Sequence, residues 1–455
     1  MKAILNLDNT DVLSDSNKAR EGSIINPQLY FFKDNNQIIC YAPYDRFAAL
    51  IDQSEYGYLI SHKYLTKDAP SDLFYGKFYV EEEKNKGKKD NYEFSVGDKR
   101  VYSPDELTVF LGDACNLNCI YCNAVPNRKN LFSARATLKA VKIMLDKFNI
   151  KKISFFGNGE PLLYFDTIKE ITELAKSRGC DSFYVCTNGV IPRNRDEIIK
   201  FLIENNFYIQ LSIDGDPYIQ NLQRPAKNKN YNSSTEVEKT VNEIKKYGPL
   251  DKYAYARMTL TKEVLDRMEE IILYLKNLGF KKIRCAELIY EGKAVENKLK
   301  KPNLEEYIDR IVDILLFSEQ LGVDFSGDFD PRSPSESGIY PCPYMAGRSV
   351  SLNEELKLLS CLEDIPYWVI GNVNIQTSEI FVSMEKVEAL RNRNSNTLNC
   401  ESCPVKCGGG CTHSSFLASG RMDLQGDYEG KCHILQSILY KYLKKRLENG
   451  DVNKK

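Results

Sequence analysis

The sequence predicts an α/β fold: a partial (β/α)6 barrel, with an N-terminal α+β segment before it and a cysteine-rich domain after it. Three observations predict it. Between residues 105 and 335, short apolar runs alternate with amphipathic helical stretches, the pattern of βα units on a parallel sheet. Before residue 105 that alternation is missing. After residue 335, seven of the fourteen cysteines fall between residues 342 and 432, and long elements are absent until a final helix. The expected domains are 1–104, 105–335 and 336–455, which suits a chain of 455 residues.

In the first segment, two strand-like runs, 29–33 and 37–42, flank Asp34-Asn35-Asn36, a good turn sequence. The stretch 46–65 reads as a helix, and the charged stretch 81–91 as an exposed loop. The barrel strands are read at 108–112, 152–157, 182–189, 208–215, 253–260 and 281–289. The helices between them are read at 133–148, 166–179, 195–205, 234–248 and 262–279. Six strands are too few for a complete eight-stranded barrel. In such sheets active sites lie at the C-terminal ends of strands. The final helix is read at 433–450.

Composition narrows the function. A hydrophobic content of 42% and a charged content of 27% are ordinary for a soluble globular protein. The net charge of −1 gives no sign of a nucleic-acid or anionic-membrane partner. The first twenty residues lack the long apolar core of a signal peptide, and no apolar run approaches the roughly 20 residues needed to cross a bilayer. A cytoplasmic protein is expected. In a reducing compartment, fourteen cysteines point to metal or cluster ligation rather than disulfides.

The cysteines nearest the first barrel strand read Cys115-Asn-Leu-Asn-Cys119-Ile-Tyr121-Cys122. Three thiolates at this spacing can hold three irons of a 4Fe–4S cube and leave the fourth iron open to a small ligand. Zinc is the competing reading. It commonly takes two close cysteine pairs, whereas here His62, His413 and His433 all lie far away in sequence. The second strand ends in Gly157-Asn158-Gly159-Glu160-Pro161, a tight turn with a carboxylate that can accept hydrogen bonds from an amino group. The third ends in Cys186-Thr187-Asn188-Gly189, and the fourth in Leu211-Ser212-Ile213-Asp214-Gly215, with Arg224 twelve residues after Ser212. An arginine fork matches a carboxylate at two points. Arg257 on the fifth strand is a further pocket candidate. Cys285 on the sixth is read as a small core residue that could face the interior.

These motifs, in this order at successive strand ends, resemble the radical S-adenosylmethionine (radical SAM) enzymes. The resemblance implies a cluster on Cys115, Cys119 and Cys122, with SAM held by its amino and carboxylate groups on the open iron. Reduction then gives a 5′-deoxyadenosyl radical that abstracts hydrogen. It implies SAM contacts from Tyr121, Gly157, Gly159, Glu160, Asn188, Ser212, Asp214 and Arg224. Glu160 would serve the amino group, and Ser212 and Arg224 the carboxylate. The family usually has Gly where this chain has Asn158, a residue that tolerates left-handed backbone better than most.

The C-terminal array comprises Cys342, Cys361, Cys400-Glu-Ser-Cys403-Pro-Val-Lys-Cys407-Gly-Gly-Gly-Cys411 and Cys432. It resembles the SPASM domain, the auxiliary-cluster domain of peptide- and protein-modifying radical SAM enzymes; a zinc ribbon is the competing reading. By position, Cys342, Cys361 and Cys411 would hold one auxiliary 4Fe–4S cluster, and Cys400, Cys403, Cys407 and Cys432 a second. Two departures from the family stand out: three residues rather than five separate Cys403 from Cys407, and Leu356 replaces a glycine five positions before Cys361.

The function implied is maturation of a ribosomally made precursor peptide, forming a thioether or carbon–carbon crosslink, with a flavodoxin- or ferredoxin-like reductant. The N-terminal segment could bind the peptide's leader or simply cap the barrel. A peptide-modifying dehydrogenase or epimerase is an alternative. Sulfatase-maturing relatives carry an aspartate base directly after the cysteine matching Cys361. Leu362 occupies that position here, which counts against that reading. A non-catalytic iron–sulfur electron carrier would have no use for Glu160, Ser212 and Arg224.

Overall fold

The structure is a computed structural model. It describes residues 4–6, 19, 23–26, 28–34, 37–74, 78–80, 102–123, 132–332, 335, 340–395, 398, 400, 403–420 and 430–448. The charged stretch 81–91 and the turn residues 35 and 36 lie outside these.

The N-terminal strands are β1 (Ile4–Asn6), β2 (Ile24–Ile25), β3 (Tyr30–Asp34), β4 (Gln37–Ala42), β5 (Phe47–Ile51) and β6 (Tyr79–Val80). Four of them form an antiparallel sheet in the order β1-β5-β4-β3, with Asp34 opposite Gln37 at the hairpin, and β2 pairs with β6. The single helix expected over 46–65 is divided. Phe47–Ile51 is strand, and the helix spans only Gln53–Ser61. Phe47, Ala48, Ala49 and Ile51 are all buried, because β5 is covered on both faces. A short apolar run of this kind carries no periodicity to separate strand from helix. Asp52 then starts the helix by a capping box with Glu55. Alternation along β4 sends Ile38 and Cys40 into a small local core, and Ile39 and Tyr41 into the main one.

The barrel strands are β7 (Glu106–Phe110), β8 (Lys152–Phe156), β9 (Ser182–Thr187), β10 (Phe207–Ser212), β11 (Ala254–Leu260) and β12 (Lys282–Glu287). Beyond these six come β13 (Asp324–Gly327) and β14 (Ser349–Leu352), then β15 (Lys357–Leu359), β16 (Val369–Asn374) and β17 (Glu379–Val382). One sheet runs β13-β12-β11-β10-β9-β8-β7-β14-β15-β16-β17. All pairings from β13 to β14 are parallel; those from β14 to β17 are antiparallel. The sheet of the barrel therefore continues unbroken into the cysteine-rich part, with Leu352 in register with Val109.

Each parallel strand has an apolar face under the helices: Phe183 and Val185 on β9, Ile209 and Leu211 on β10, Ala256 and Met258 on β11. The other face is polar. There Tyr184 and Tyr255 both donate to Gln210 Oε1, at 2.7 and 2.6 Å. Cys285 is fully buried on the apolar face in register with Met258, a core position. The final helix, Lys431–Glu448, returns to the N-terminal sheet, where Tyr440 and Lys444 both donate to Asp34 Oδ2, at 2.6 and 2.8 Å.

Candidate active site

The loop after β7 carries Cys115, Cys119 and Cys122, and two later strand ends hold it in place. Asn118 N donates to Pro225 O at 2.8 Å, Ile120 N to Gln223 O at 2.9 Å, and Lys227 N to Asn116 O at 2.9 Å. Asn188, at the end of β9, donates from Nδ2 to Asn116 Oδ1 at 2.8 Å and to Cys115 Sγ at 3.7 Å. An N–H directed at a ligating sulfur tunes an iron–sulfur centre. Burial raises the Cys115 thiol and pushes Cys119 up to about 12. Bound iron would offset that burial by taking the thiolates directly.

The turn after β8 packs against this loop. Glu160 N donates to Ala114 O at 2.8 Å, and a Cβ on Gly159 would stand 2.2 Å from the same oxygen. The glycine thus permits close approach of two backbones. Asn158 sits outside the left-handed region, so replacing the usual glycine strains nothing. Glu160 is 2% exposed and accepts from Leu162 N at 3.0 Å, Thr187 Oγ1 at 2.6 Å and Asn188 N at 2.7 Å. Of the roughly four acceptor sites on a carboxylate, three are filled and one is left for an amino group. Burial pushes its carboxyl up to about 7, against the pull of these donors.

Asp214, fully buried after β10, gathers the third group. Tyr121 Oη donates to its Oδ2 at 2.5 Å, Arg224 Nε to Oδ2 at 2.9 Å, Arg224 Nη2 to Oδ1 at 3.1 Å, and Thr259 N to Oδ1 at 3.0 Å. The Arg224 guanidinium lies 5.3 Å from the centre of the Tyr121 ring. The fork expected to meet a SAM carboxylate therefore meets a protein carboxylate with two of its nitrogens, leaving Nη1 for a ligand. Ser212 closes β10 in register with Arg257 on β11, which places both at the same mouth.

The C-terminal cysteines fall into two neighbourhoods. Burial pushes the Cys342 thiol up to about 11 and raises Cys361, with nearby Cys411 adding to both; burial likewise raises Cys400, with nearby Cys407 and Cys403 adding to it. Gln436, one turn beyond Cys432 on the final helix, donates to Cys403 Sγ at 3.7 Å. Arg393, 4% exposed, is influenced by Cys342, Cys400, Cys407 and Cys411, and donates to Gly409 O at 3.2 Å and Gly410 O at 3.1 Å. Gly408, Gly409 and Gly410 are all left-handed, at φ +73°, +97° and +75°, and a Cβ on Gly408 would stand 2.2 Å from Tyr340 O. Leu356 is left-handed too, at φ +60°, at the position where the related pattern has glycine.

Among the described residues, no three cysteine sulfurs lie within 4.8 Å of one another. Four thiolates on one zinc would stand about 3.8 Å apart at Zn–S distances of ~2.3 Å. The corners of an iron–sulfur cube spread thiolates more widely than that.

Sequence reasoning read the segment after Cys361 only for a base, and missed Glu363 and the contacts this segment makes. Asn123, next to Cys122, donates to Glu363 Oε2 at 2.9 Å. Asn158 donates to Asp364 Oδ2 at 3.5 Å, and Asn353 to Asp364 Oδ1 at 2.9 Å. Burial pushes the Glu363 carboxyl up to about 7, with Glu291 and Asp364 adding to it. The only sequence signal was the pair of acids just beyond a candidate ligand.

The comparisons with known proteins agree with this geometry. Residues 109–275 match the model of the radical SAM superfamily. An uncharacterised protein of Methanocaldococcus jannaschii is 30% identical over 204 residues, covering 44% of this chain and 68% of that one. A cysteine-type anaerobic sulfatase-maturating enzyme of Clostridium perfringens is 23% identical over 341 residues, covering 65% and 85%. Among solved structures, anSMEcpe with bound AdoMet and a Cp18Cys peptide aligns at TM-score 0.59 and 20% identity over 76% of this chain and 98% of that one. Streptococcus suis SuiB bound to precursor peptide SuiA aligns at TM-score 0.50 and 14% identity over 90% and 99%. The matched span holds the cysteine loop, Glu160, Asp214 and Arg224, and the chain belongs to the radical SAM superfamily, as an enzyme whose cofactors are a 4Fe–4S cluster and SAM.

Proposed function

We propose that this enzyme matures a ribosomally made peptide, forming a thioether or carbon–carbon crosslink. One observation carries the reading. The segment after Cys361 is hydrogen-bonded straight onto the SAM-site loops, through Asn123 to Glu363 and Asn158 to Asp364. A substrate at the barrel mouth would therefore face Cys115–Cys122 on one side and Cys342, Cys361 and Cys411 on the other. The edge strand β3 offers a place for an extended leader peptide to pair. The relatives whose descriptions name a sulfatase-maturating activity or a bound precursor peptide support a peptide substrate.

In this reading Cys115, Cys119 and Cys122 would hold the SAM-binding cluster, and that group would supply the electron for reductive cleavage of SAM. Glu160 orients the amino group of SAM. Arg224 Nη1 and Ser212 meet its carboxylate, with Asp214 fixing the arginine and Tyr121 closing over it. Cys342, Cys361 and Cys411 form one auxiliary site; Cys400, Cys403, Cys407 and Cys432 form the second. A crosslink removes two hydrogens from the peptide, one as an atom and one as a proton with an electron. In this reading the cysteine-rich domain would receive that electron, and a flavodoxin- or ferredoxin-like protein would supply the reducing one.

Sulfatase maturation is the second reading, favoured by the Clostridium perfringens relative. Leu362, 37% exposed, stands where that reaction's base would be, and Asp364 is already held by Asn353 and Asn158. Mass spectrometry separates the readings. After anaerobic incubation with SAM and reductant, a short peptide encoded beside this gene should lose two hydrogens per event as 5′-deoxyadenosine forms. Fragmentation should locate a new bond between residues. Conversion of a sulfatase-derived cysteine peptide to an aldehyde instead would overturn the crosslink reading.

A further inference from the structure

Three side chains meet beside the Cys361 segment: Glu291, in the loop that follows β12, Glu363 and His413. Their donor atoms lie within 4.8 Å of one another. His413 is 3% exposed, and its Nε2 has no hydrogen-bond partner, standing 3.6 Å from Glu291 Oε2. An imidazole with two carboxylates is first read as a metal site. Trp368 speaks against that. Its indole Nε1–H can only donate, and it lies 3.2 Å from His413 Nδ1. Nδ1 must therefore accept, which puts the proton of the neutral ring on Nε2. A protonated nitrogen has no lone pair for a metal. His413 instead presents an N–H to the space between two carboxylates.

Those carboxylates lack a counter-charge. Glu363 receives only the neutral amide of Asn123, and among the described residues no lysine or arginine pairs with Glu363 or Glu291. Two half-buried carboxylates facing each other repel, and a cation between them relieves that repulsion. We propose that Glu291 and Glu363 form a pocket for a cationic group of the peptide substrate, a lysine ammonium or arginine guanidinium, with the His413 Nε2–H donating to a carbonyl oxygen beside it. The proposal rests on the peptide reading above. The pocket selects which residue is presented, because Asn123 ties it to the cysteine loop and Cys361 lies two residues before Glu363.

The test uses the iron–sulfur-reconstituted full chain saturated with SAM. The probes are acetyl-Gly-Lys-Gly-amide, acetyl-Gly-Arg-Gly-amide, acetyl-Gly-norleucine-Gly-amide and n-butylammonium chloride, titrated by saturation-transfer NMR. A buried charge-assisted hydrogen bond should make the lysine and arginine peptides bind about tenfold tighter than the norleucine peptide, or more. Glu291→Gln should erase that preference with iron content unchanged, and Glu363→Gln should repeat the result. Equal binding of all three peptides by the wild type would overturn the pocket and leave the peptide reading standing. A preference that survives in both variants, or no binding of any probe, would also overturn it. Binding of n-butylammonium that Glu291→Gln abolishes, with no peptide bound, would support the pocket and count against the peptide reading instead.

Discussion

Arg224 grips Asp214 at two points, Nε to Oδ2 at 2.9 Å and Nη2 to Oδ1 at 3.1 Å, in a pair from which water is nearly excluded. The same carboxylate accepts from Tyr121, so one acid joins the cysteine loop to the end of β10. Asp214→Asn keeps the shape and leaves the arginine charge buried and unpaired. It should cost on the order of 3 kcal/mol. A lower unfolding midpoint by anaerobic thermal denaturation, with less iron retained by the Cys115–Cys122 loop, is the expected result. Ser212→Ala should leave the midpoint in place and weaken SAM binding alone.

Glu160 gives a pH signature. Its folded-state value of about 7 lies above its ordinary 4.5, so its contribution is fully present below about 4.5 and is lost as pH rises through 7. Between pH 6 and 8 the SAM-free protein should lose about 1 kcal/mol of stability from this group. Thermal midpoints at the two pH values should show that loss in the wild type and not in Glu160→Gln. Equal slopes in both proteins would refute the assignment.

Iron analysis tests the cysteine groups. Three 4Fe–4S centres require about 12 irons per chain. Replacing Cys115, Cys119 and Cys122 together with alanine should leave about 8 irons, still bound by the C-terminal array. Replacing Cys403 and Cys407 should also leave about 8, and should preserve 5′-deoxyadenosine formation from SAM.

Leu356 holds a left-handed conformation that costs a side-chain-bearing residue about 1 kcal/mol or more. Substituting alanine or glycine removes the same packing, but only glycine relieves the backbone. Leu356→Gly should therefore be more stable than Leu356→Ala by about 1 kcal/mol, the reverse of the usual order. Chemical denaturation of both variants under anaerobic conditions decides it.

The candidate site residues were legible as candidates because iron–sulfur ligation and strand-end placement both leave marks in a linear sequence. Cys115, Cys119 and Cys122, Glu160 and Arg224 could all be read that way. β13 and β14 were not, since four residues are too few to show a period. Phe47–Ile51 was misread for the opposite reason: burial on both faces erases alternation. Asp214 was singled out as a ligand contact, and the structure gives it a second task, bracing Arg224. Glu291, Glu363 and His413 meet only through packing, and nothing in their spacing announces it.

The pairing of Ser349–Leu352 with Glu106–Phe110 has an electrical meaning. β7 leads into Cys115, and the ladder it shares with β14 continues through β15 to Cys361. Electron tunnelling falls exponentially with separation, so a hinge between two redox centres would make the transfer rate fluctuate with every opening. In the proposed function, with clusters at both cysteine groups, a backbone hydrogen-bond ladder would set that separation. Such wiring would be as stiff as the sheet itself.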